Sequence, residues 1–470
     1  MKDEEYMSHN LIHIDKDICT GCRRCVEVCP VNAIDGEFGQ PHEINLETCV
    51  ACGQCVQVCS SYASAMDCGS EVYAQKLEQR GMLPTVTEPL FAAYAQCHVK
   101  QVKEAIANPE IYTVVQCAPA VRVAIGEEFG MPLGSLTPGK LAAALRRLKI
   151  DRVYDTNFGA DITIMEEGSE LIQRVLAKAK DPQVKLPMLT SCCPAWVKFI
   201  EQDQSDLLPH LSSARSPMSC AGPVFKTIGA EMDNVDPAKI FSFAVMPCTC
   251  KHFEAARPEM KSSGYQDTDL VITTRELAQL IKDQGIDFVN LPDEDFDQPF
   301  GEYSGAGAIF GVTGGVMEAA LRTGYELVTK QPIPNLDLDF VRGDNGLRSA
   351  EVKMGDLTVK VAVVAGLDSA EKVLATVRDG SCDYHFVEIM TCPEGCMTGG
   401  GQPKLLLEEH RKLAFNKRRE ALYNHDKDLP TRKSHENPSI KKLYGEHLGE
   451  PLGHEAHHLL HTTYTPRKVK

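Results

Sequence analysis

The sequence predicts an α/β protein in which parallel sheets are covered by helices, with a small cysteine-dense unit in front and a helical and extended tail behind. Three observations carry this reading. Short β-rich segments alternate with amphipathic helical ones through the middle of the chain, as strands joined by crossover helices do. Nine cysteines fall in the first 68 residues, eight of them in two copies of one pattern. From about Lys404 the chain is strongly charged and His-rich, with no strand-like run.

The front unit is an internal duplication. Cys19, Cys22, Cys25 and Cys29 repeat thirty positions later as Cys49, Cys52, Cys55 and Cys59. The pattern C-x2-C-x2-C-x3-C suits a cubane: a tight loop supplies three thiolates and the fourth cysteine of each run ligates the other cluster. Two [4Fe–4S] clusters are therefore expected, one on Cys19, Cys22, Cys25 and Cys59, the other on Cys49, Cys52, Cys55 and Cys29. Pro30 follows the first run, whereas Ser60 stands where a second proline is expected. A zinc ribbon, the competing reading, prefers paired CxxC knuckles.

A linker-like stretch near Gly81 to Pro89 leads into the alternating region. IYTVVQCAPAV, LAAALRRLKIDRVYD, ELIQRVLAKA, IFSFAVMPC and LTVKVAVVAGL are examples of these alternating β-rich and amphipathic helical segments. A Gly-rich stretch from Gly301 opens a helix after Gly315, and GGGQP closes the region at Pro403. In the tail, the histidines of HEAHHLL read as solvated helix surface rather than a metal site.

Composition excludes several functions. With 470 residues, two or three domains are expected. Apolar residues at 43% and charged residues at 24% are globular values. Lys+Arg 49 against Asp+Glu 65 gives −16, a balance that repels phosphate backbones and anionic lipid, so neither nucleic acid nor membrane is an expected partner. No apolar run reaches the roughly 18 residues of a membrane span. The start, MKDEEYMSHN, lacks the order of a secretory leader, and nineteen cysteines in a cytoplasmic protein point to metal ligation rather than disulfides.

Five later cysteines fall in three loop-like contexts: Cys192 and Cys193 in TSCCPAW, Cys248 in MPCTCK, and Cys392 and Cys396 in EIMTCPEGC. Loops at strand ends are where a parallel sheet builds its site, so these segments read as a further buried metal site, with unrelated core cysteines as the alternative. Cys68, Cys97, Cys220 and Cys382 have no motif context and read as buried small hydrophobes.

TSCCPAW at 190–196, MPCTCKHFE at 246–254 and EIMTCPEGCMTGGGQP at 388–403 resemble, in order and approximate spacing, the three signatures of the [FeFe]-hydrogenases. GADITIMEEGSEL and GVTGGVMEAALR are also similar to family segments, and the sequence from Arg418 to Leu452 is similar to the family's small subunit, here on the same chain. The resemblance implies a ferredoxin-like α+β domain over 1–80 and a two-lobed α/β catalytic domain over 81–403. A small-subunit-like tail over 404–470 would wrap it.

The resemblance also implies an H-cluster: a [4Fe–4S] cubane joined through one cysteine to a two-iron unit carrying CO, CN⁻ and a bridging dithiolate amine, with one iron left open. Mapped by motif, Cys193, Cys248, Cys392 and Cys396 hold the cubane, Cys396 being the bridge. Lys251 donates to a cyanide, Ala118 and Pro119 lie against the other, and Met246, Met390 and Phe310 line the two-iron unit. Taken alone, Glu167, Glu170 and Arg174 at i, i+3 and i+7 form one helix face that reads as solvated. The resemblance instead makes them part of a proton relay running through Cys192, Glu167, Ser212, Glu170 and Arg174.

The expected activity is H2 ⇌ 2H⁺ + 2e⁻, with a soluble carrier such as ferredoxin taking electrons near the N-terminal domain and dedicated maturation proteins inserting the two-iron unit. A hydrogen sensor with little turnover and an iron–sulfur assembly relative are the rivals, and retention of Cys192, Glu167 and Glu170 favours turnover. Met218, Cys117 and Cys250 depart from the family pattern and add sulfur near the inferred cluster loops.

Overall fold

The computed structural model of the chain describes residues 11–343 and 346–467; the acidic start over residues 1–10, read above for a leader, lies outside them. Two four-stranded sheets form the body. In the first, the strands Leu270–Thr273, Ile240–Met246, Tyr112–Cys117 and Arg152–Asp155 lie side by side in that order, all parallel. The second runs Leu347–Met354, Leu357–Ala365, Phe386–Met390, Met188–Leu189. Its inner pairs are parallel, but Leu347–Met354 is antiparallel to its neighbour, so this sheet is mixed where a parallel one was expected. The cause is local. Gly355, at φ +65°, turns the chain straight back into Leu357, and the edge strand alternates exposed and half-buried residues, as a strand wetted on one face does.

Helices cover both sheets, as expected from the alternation. The helix Thr156–Lys178 is buried along most of its length and packs on Pro217–Val224 and Gly315–Thr329. Gly159 makes the first of these contacts possible: a Cβ there would stand 2.2 Å from the Pro217 carbonyl oxygen.

The cysteine-dense unit is a small α+β body of two-stranded pairings and the short helices Arg24–Glu27 and Gln54–Val58. Ile12–Ile14 pairs antiparallel with Ala93–Ala95, and Tyr62–Ala63 with Leu90–Phe91. The stretch 81–89, read as a linker, thus carries the chain back into this unit, which takes in residues up to 95.

The tail lies along the catalytic body through buried charges. Arg418 donates to Glu127 and to the Met397 carbonyl. Asp161 accepts from Ser304, Ser434 and Asn437. Asp426, wholly buried, accepts from Arg322 and Arg432. His454, His457 and His458 are exposed, as solvated helix surface should be. Cys97 and Cys220 are buried, but Cys68 and Cys382 are only half-buried, contrary to expectation; Cys68 instead donates to the Ser64 carbonyl. Among the described residues no helix is long and apolar enough to cross a membrane.

Replacing Asp426 by Ala leaves two guanidinium groups without their shared acceptor, and a broken buried pair costs about 3–5 kcal/mol. Chemical denaturation of Asp426→Ala is expected to show a loss of that size.

Candidate active site

Two small cavities in the front unit sort its eight cysteines. One is lined by Cys19, Cys22, Cys25 and Cys59, the other by Cys29, Cys49, Cys52 and Cys55. Each fourth cysteine has therefore crossed into the opposite set. The remaining lining is largely apolar, including Ile12, Val31, Ile34 and Ile44 in one and Ile14, Ala92 and Ala93 in the other. Burial, with the facing Cys59 and Cys19 thiols, pushes Cys25 up to about 11; Cys55 is driven well above the thiol range by burial and by Cys52, Cys49 and Cys29. Burial sets Cys25, Cys49, Cys52 and Cys55 against ionisation unless a cation takes the charge, whereas at Cys22 the Arg24 N–H and the Ser60 hydroxyl outweigh burial and lower it. The donor sets therefore fit iron–sulfur clusters. Ser60, where proline was expected, turns its hydroxyl toward Cys22 Sγ at 3.9 Å.

The second group of thiols forms where strands of both sheets end. Cys192 and Cys193 follow Met188–Leu189, Cys248 follows Ile240–Met246, and Cys392 and Cys396 follow Phe386–Met390. Backbone bonds hold the loops in register: Thr190 N–H donates to the Val387 carbonyl, Ile389 N–H to Thr190 Oγ1 at 3.1 Å, and Trp196 Nε1 to the Thr190 carbonyl at 2.9 Å. Pro194 then opens a ten-residue helix directly after Cys193. The four thiols of Cys193, Cys248, Cys392 and Cys396 face one another. Burial, with Cys193 beside it, pushes Cys248 up to about 12, and Cys392 is raised by burial and by Cys248, Cys193, Cys52 and Cys396. Cys396 is raised by burial and then by Cys193 and Cys248. This set fits a third cubane.

The front unit is docked directly onto this group. Gln54 Nε2 stands 3.4 Å from Cys392 Sγ and donates to the Thr398 carbonyl, and Gln57 Nε2 reaches the carbonyls of Gly399, Gly400 and Gln402. Thr249 Oγ1 donates to the Ala51 carbonyl at 2.7 Å. Gly53, at φ +73°, is what lets the backbones meet: a Cβ would lie 2.6 Å from Thr249 Oγ1 and 2.9 Å from Gly400 Cα. Cys250, wholly buried, has Cys248 and Cys52 as neighbours. Spacing gives no sign of Gln54 or Gln57 as links.

The remaining site residues divide into two apolar clusters. Phe310 and Met390 pack in one with Cys192, Cys193 and Cys396. Met246, Ala118, Cys117 and Met218 belong to another, under the first sheet; Ala118 N–H donates to the Val245 carbonyl and Pro119 is buried beside it. Lys251 is buried rather than a surface lysine. Its ammonium donates to Glu254 Oε2 at 2.6 Å, Ser216 Oγ at 2.7 Å and the Cys192 carbonyl at 3.3 Å. Burial works against its charge, yet Glu254 holds its pKa above the ordinary value. Glu254 and Ser216 escaped the sequence reading, although Glu254 sits at i+3 from Lys251, a helical pair spacing.

Glu167, Glu170 and Arg174 do lie along one face of the helix Thr156–Lys178, but the carboxylates are buried rather than solvated. Ser212 Oγ donates to Glu170 Oε2 at 2.9 Å, and Arg174 Nη2 to Glu170 Oε1 at 2.6 Å and to the Leu211 carbonyl at 2.8 Å. Arg174, about a fifth exposed, is the outward end. Glu167 is the inward end. Neither of its oxygens has a well-formed hydrogen bond, Ser212 and the Ser191 N–H standing just near enough to oppose the shift slightly. Burial, then the Glu170 charge, pushes it up to about 8. Cys192 is raised well above the thiol range by burial and by Glu167 next to it. Glu388, which accepts from the Gly314 and Met317 N–H groups at 2.7 Å and is pushed by burial up to about 7, is a further buried carboxyl the spacing did not single out.

The tail braces this line. His461 Nδ1 pairs with Ser213 Oγ at 2.9 Å, and Ser213 N–H donates to Glu170 Oε2 at 3.0 Å. Glu166, adjacent to Glu167, turns to the tail instead, bonding His461 Nε2 at 2.9 Å, the Leu452 N–H at 2.8 Å and the Tyr444 hydroxyl.

Three thiol-lined sites in series, ending beside a file of buried proton-carrying groups, define a multi-cluster iron–sulfur redox protein. Family comparison narrows this. Residues 111–400 match the C-terminal domain of the iron-only hydrogenase large subunit, 412–467 the iron hydrogenase small subunit, and 11–60 a 4Fe-4S dicluster domain. The NADP-reducing hydrogenase subunit HndD of Solidesulfovibrio fructosivorans is 49% identical over 79% of this chain, which spans 63% of that relative's length. The periplasmic [Fe] hydrogenase large subunit of Nitratidesulfovibrio vulgaris is 44% identical over 84% of this chain and 86% of its own. A cysteine-to-histidine variant of the apo [FeFe]-hydrogenase HydA1 from Chlamydomonas reinhardtii superposes with a TM-score of 0.70 at 42% identity, covering 79% of this chain and 99% of that one. The chain belongs to the iron-only hydrogenase family, whose cofactors are [4Fe–4S] clusters and the H-cluster.

A carboxyl pushed up to about 8 holds its proton more tightly folded than unfolded. The stability Glu167 contributes is thus complete in acid, below its unfolded value near 4.5, and is lost as pH rises toward about 8. Glu167→Gln should gain stability relative to the parent over this interval, measured by denaturation at stepped pH. The infrared C=O band of a protonated carboxyl should fade with a midpoint near 8 in the parent and be absent from the variant.

Proposed function

We propose that this chain is an [FeFe]-hydrogenase that interconverts H2 with protons and electrons and exchanges those electrons with a soluble carrier such as ferredoxin. One observation carries the reading: the thiol group at the strand ends adjoins both a docked cysteine-dense unit and the file from Cys192 to Arg174, so one locus has an electron route and a proton route. A scaffold or sensor needs no such pair of routes.

Cys19, Cys22, Cys25 and Cys59 would hold one cluster and Cys29, Cys49, Cys52 and Cys55 the next. Cys193, Cys248, Cys392 and Cys396 would hold the H-cluster cubane, with Cys396 as the bridge to the two-iron unit. When bound, the H-cluster supplies the redox chemistry on H2. The chain's residues do the rest. Phe310, Met390, Met246, Ala118 and Pro119 would line the two-iron unit and keep water from it, which strengthens electrostatic contacts there. Lys251 would offer its buried ammonium to the anionic ligands of the two-iron unit by giving up its longest bond, the 3.3 Å one to the Cys192 carbonyl. Cys192 Sγ gives and takes the proton at the inner end, and Glu167, mostly protonated at neutral pH, relays it. Ser212 passes it to Glu170, and Arg174 holds Glu170 at the exit.

Burial fits Glu167 to this task, while it holds Cys192 well above the thiol range. A relay must sit near neutrality to load and unload, and burial raises Glu167 from the carboxylate range into it. The proposal includes a cytoplasmic location, where a reducing compartment keeps nineteen cysteines available as ligands, and maturation proteins that supply the two-iron unit.

The decisive assay is H2 evolution by matured enzyme with a reduced carrier. Turnover supports the reading; infrared bands of bound CO and CN⁻ without turnover would instead mark a sensor, and absence of both a scaffold. Cys192→Ser is expected to keep those bands and lose on the order of 100-fold or more in turnover. Gly53→Ala, whose Cβ collides with Thr249 and Gly400, should slow carrier-driven turnover while the front clusters still load, read from the iron content and the carrier-dependent rate.

A further inference from the structure

Away from the thiol-lined sites, three side chains from distant parts of the chain meet in a buried cluster. His98 follows the strand Ala93–Ala95, His252 lies in the helix Lys251–Ala255, and Glu276 is in the first turn of Thr274–Asp283. Their ligand atoms all lie within 4.8 Å of one another. The residues are 5%, 7% and 6% exposed, and the two imidazoles approach to 4.4 Å between ring centres at 39°.

This cluster leaves polar capacity unused. His98 Nδ1 and His252 Nε2 have no hydrogen-bond partner, although an unpaired buried nitrogen is costly. Glu276 accepts the His98 backbone N–H at Oε1 (2.9 Å) and the Thr273 backbone N–H at Oε2 (2.6 Å), and the Cys97 thiol also bonds this carboxylate. Burial keeps both imidazoles neutral, His252 being pushed down to about 3. Burial raises Glu276, while the hydrogen bonds from Thr273 oppose that shift. Neutral imidazole and ionised carboxylate are the protonation states that metal coordination requires. Two imidazoles and one carboxylate are also a ligand set that zinc takes when it keeps a fourth position open. A cleft of about 470 Å³ reaches the cluster on its Glu276 side, lined there by Cys97, Thr273 and Glu276.

We propose that His98, His252 and Glu276 form a binding site for one divalent zinc-type ion at the seam between the cysteine-dense unit and the catalytic body. The ion would join the segment leaving the front unit to the helix that follows Cys248 and to the helix after Leu270–Thr273. It would thereby satisfy the two orphaned nitrogens. Such an ion takes no part in electron transfer, since zinc has no redox chemistry at biological potentials, and the site is independent of the hydrogenase reading.

The test uses cluster-loaded enzyme purified without oxygen, its iron content measured first so that no cluster cysteine is vacant. Zn²⁺ is added, excess is removed by desalting, and bound zinc is counted by mass spectrometry. The parent should retain about one zinc per chain, with an X-ray absorption first shell of nitrogen and oxygen at about 2.0–2.2 Å. His98→Gln and Glu276→Gln, with unchanged iron content and circular dichroism, should each weaken retention at least about tenfold. No zinc in the parent, as much zinc in both variants as in the parent, or a sulfur first shell would each overturn the proposal. The parent's absorption spectrum decides even if a variant does not fold.

Discussion

The structure depends on the cost of keeping thiols dry. Twelve cysteines gather in three sets of four in spaces lined largely by apolar side chains, and in each set burial and neighbouring thiols set members such as Cys25, Cys55, Cys248 and Cys392 against ionisation. Such pockets are poor at everything except holding a polynuclear cation. The fold supplies them by two routes. In the front unit, tight loops repeat and exchange their fourth member; in the body, loops from strand ends of two sheets are pinned together by backbone bonds around Thr190. Where the two constructions touch, at Ala51 to Gln54, there is room for neither a side chain at residue 53 nor a layer of water between Thr249 and the Ala51 carbonyl.

The same helix that carries Glu167 and Glu170 shows how neighbouring carboxylates are given different work. Glu166 points to the tail and is saturated by Leu452, Tyr444 and His461, while Glu167 points inward and is left almost without partners. One is structural because its oxygens are spent. The other can carry a proton because its oxygens are not. Glu170, between Ser212 and Arg174, is held in place by the Ser213 N–H, and Ser213 is in turn held by His461.

What can be read from the sequence follows from how far the determining interactions reach along the chain. Cluster cysteines are legible because ligation by a tight loop fixes spacing within a dozen residues, and the strands are legible because buried parallel strands are continuous apolar runs. The antiparallel edge is not, because its reversal is set by one glycine, Gly355, after a segment that alternates like many others. The burial of Glu167 and Glu170 is opposite to what an i, i+3, i+7 stripe suggests on its own; only the packing of Pro217–Val224 and the Ser212–Ser213 segment against the helix decides it. Gln54 reaching Cys392, and His98 meeting Glu276, join positions hundreds of residues apart, and no periodicity reports them.

The fusion of the tail to the catalytic body has a thermodynamic meaning. His461 reaches Ser213 from the same polypeptide, so the brace on Glu170 forms at an effective concentration set by the intervening chain and not by the abundance of a separate subunit. Dilution therefore cannot strip it away. A brace supplied in trans would make the setting of Glu170 a function of protein concentration; on one chain it becomes a fixed property of the molecule.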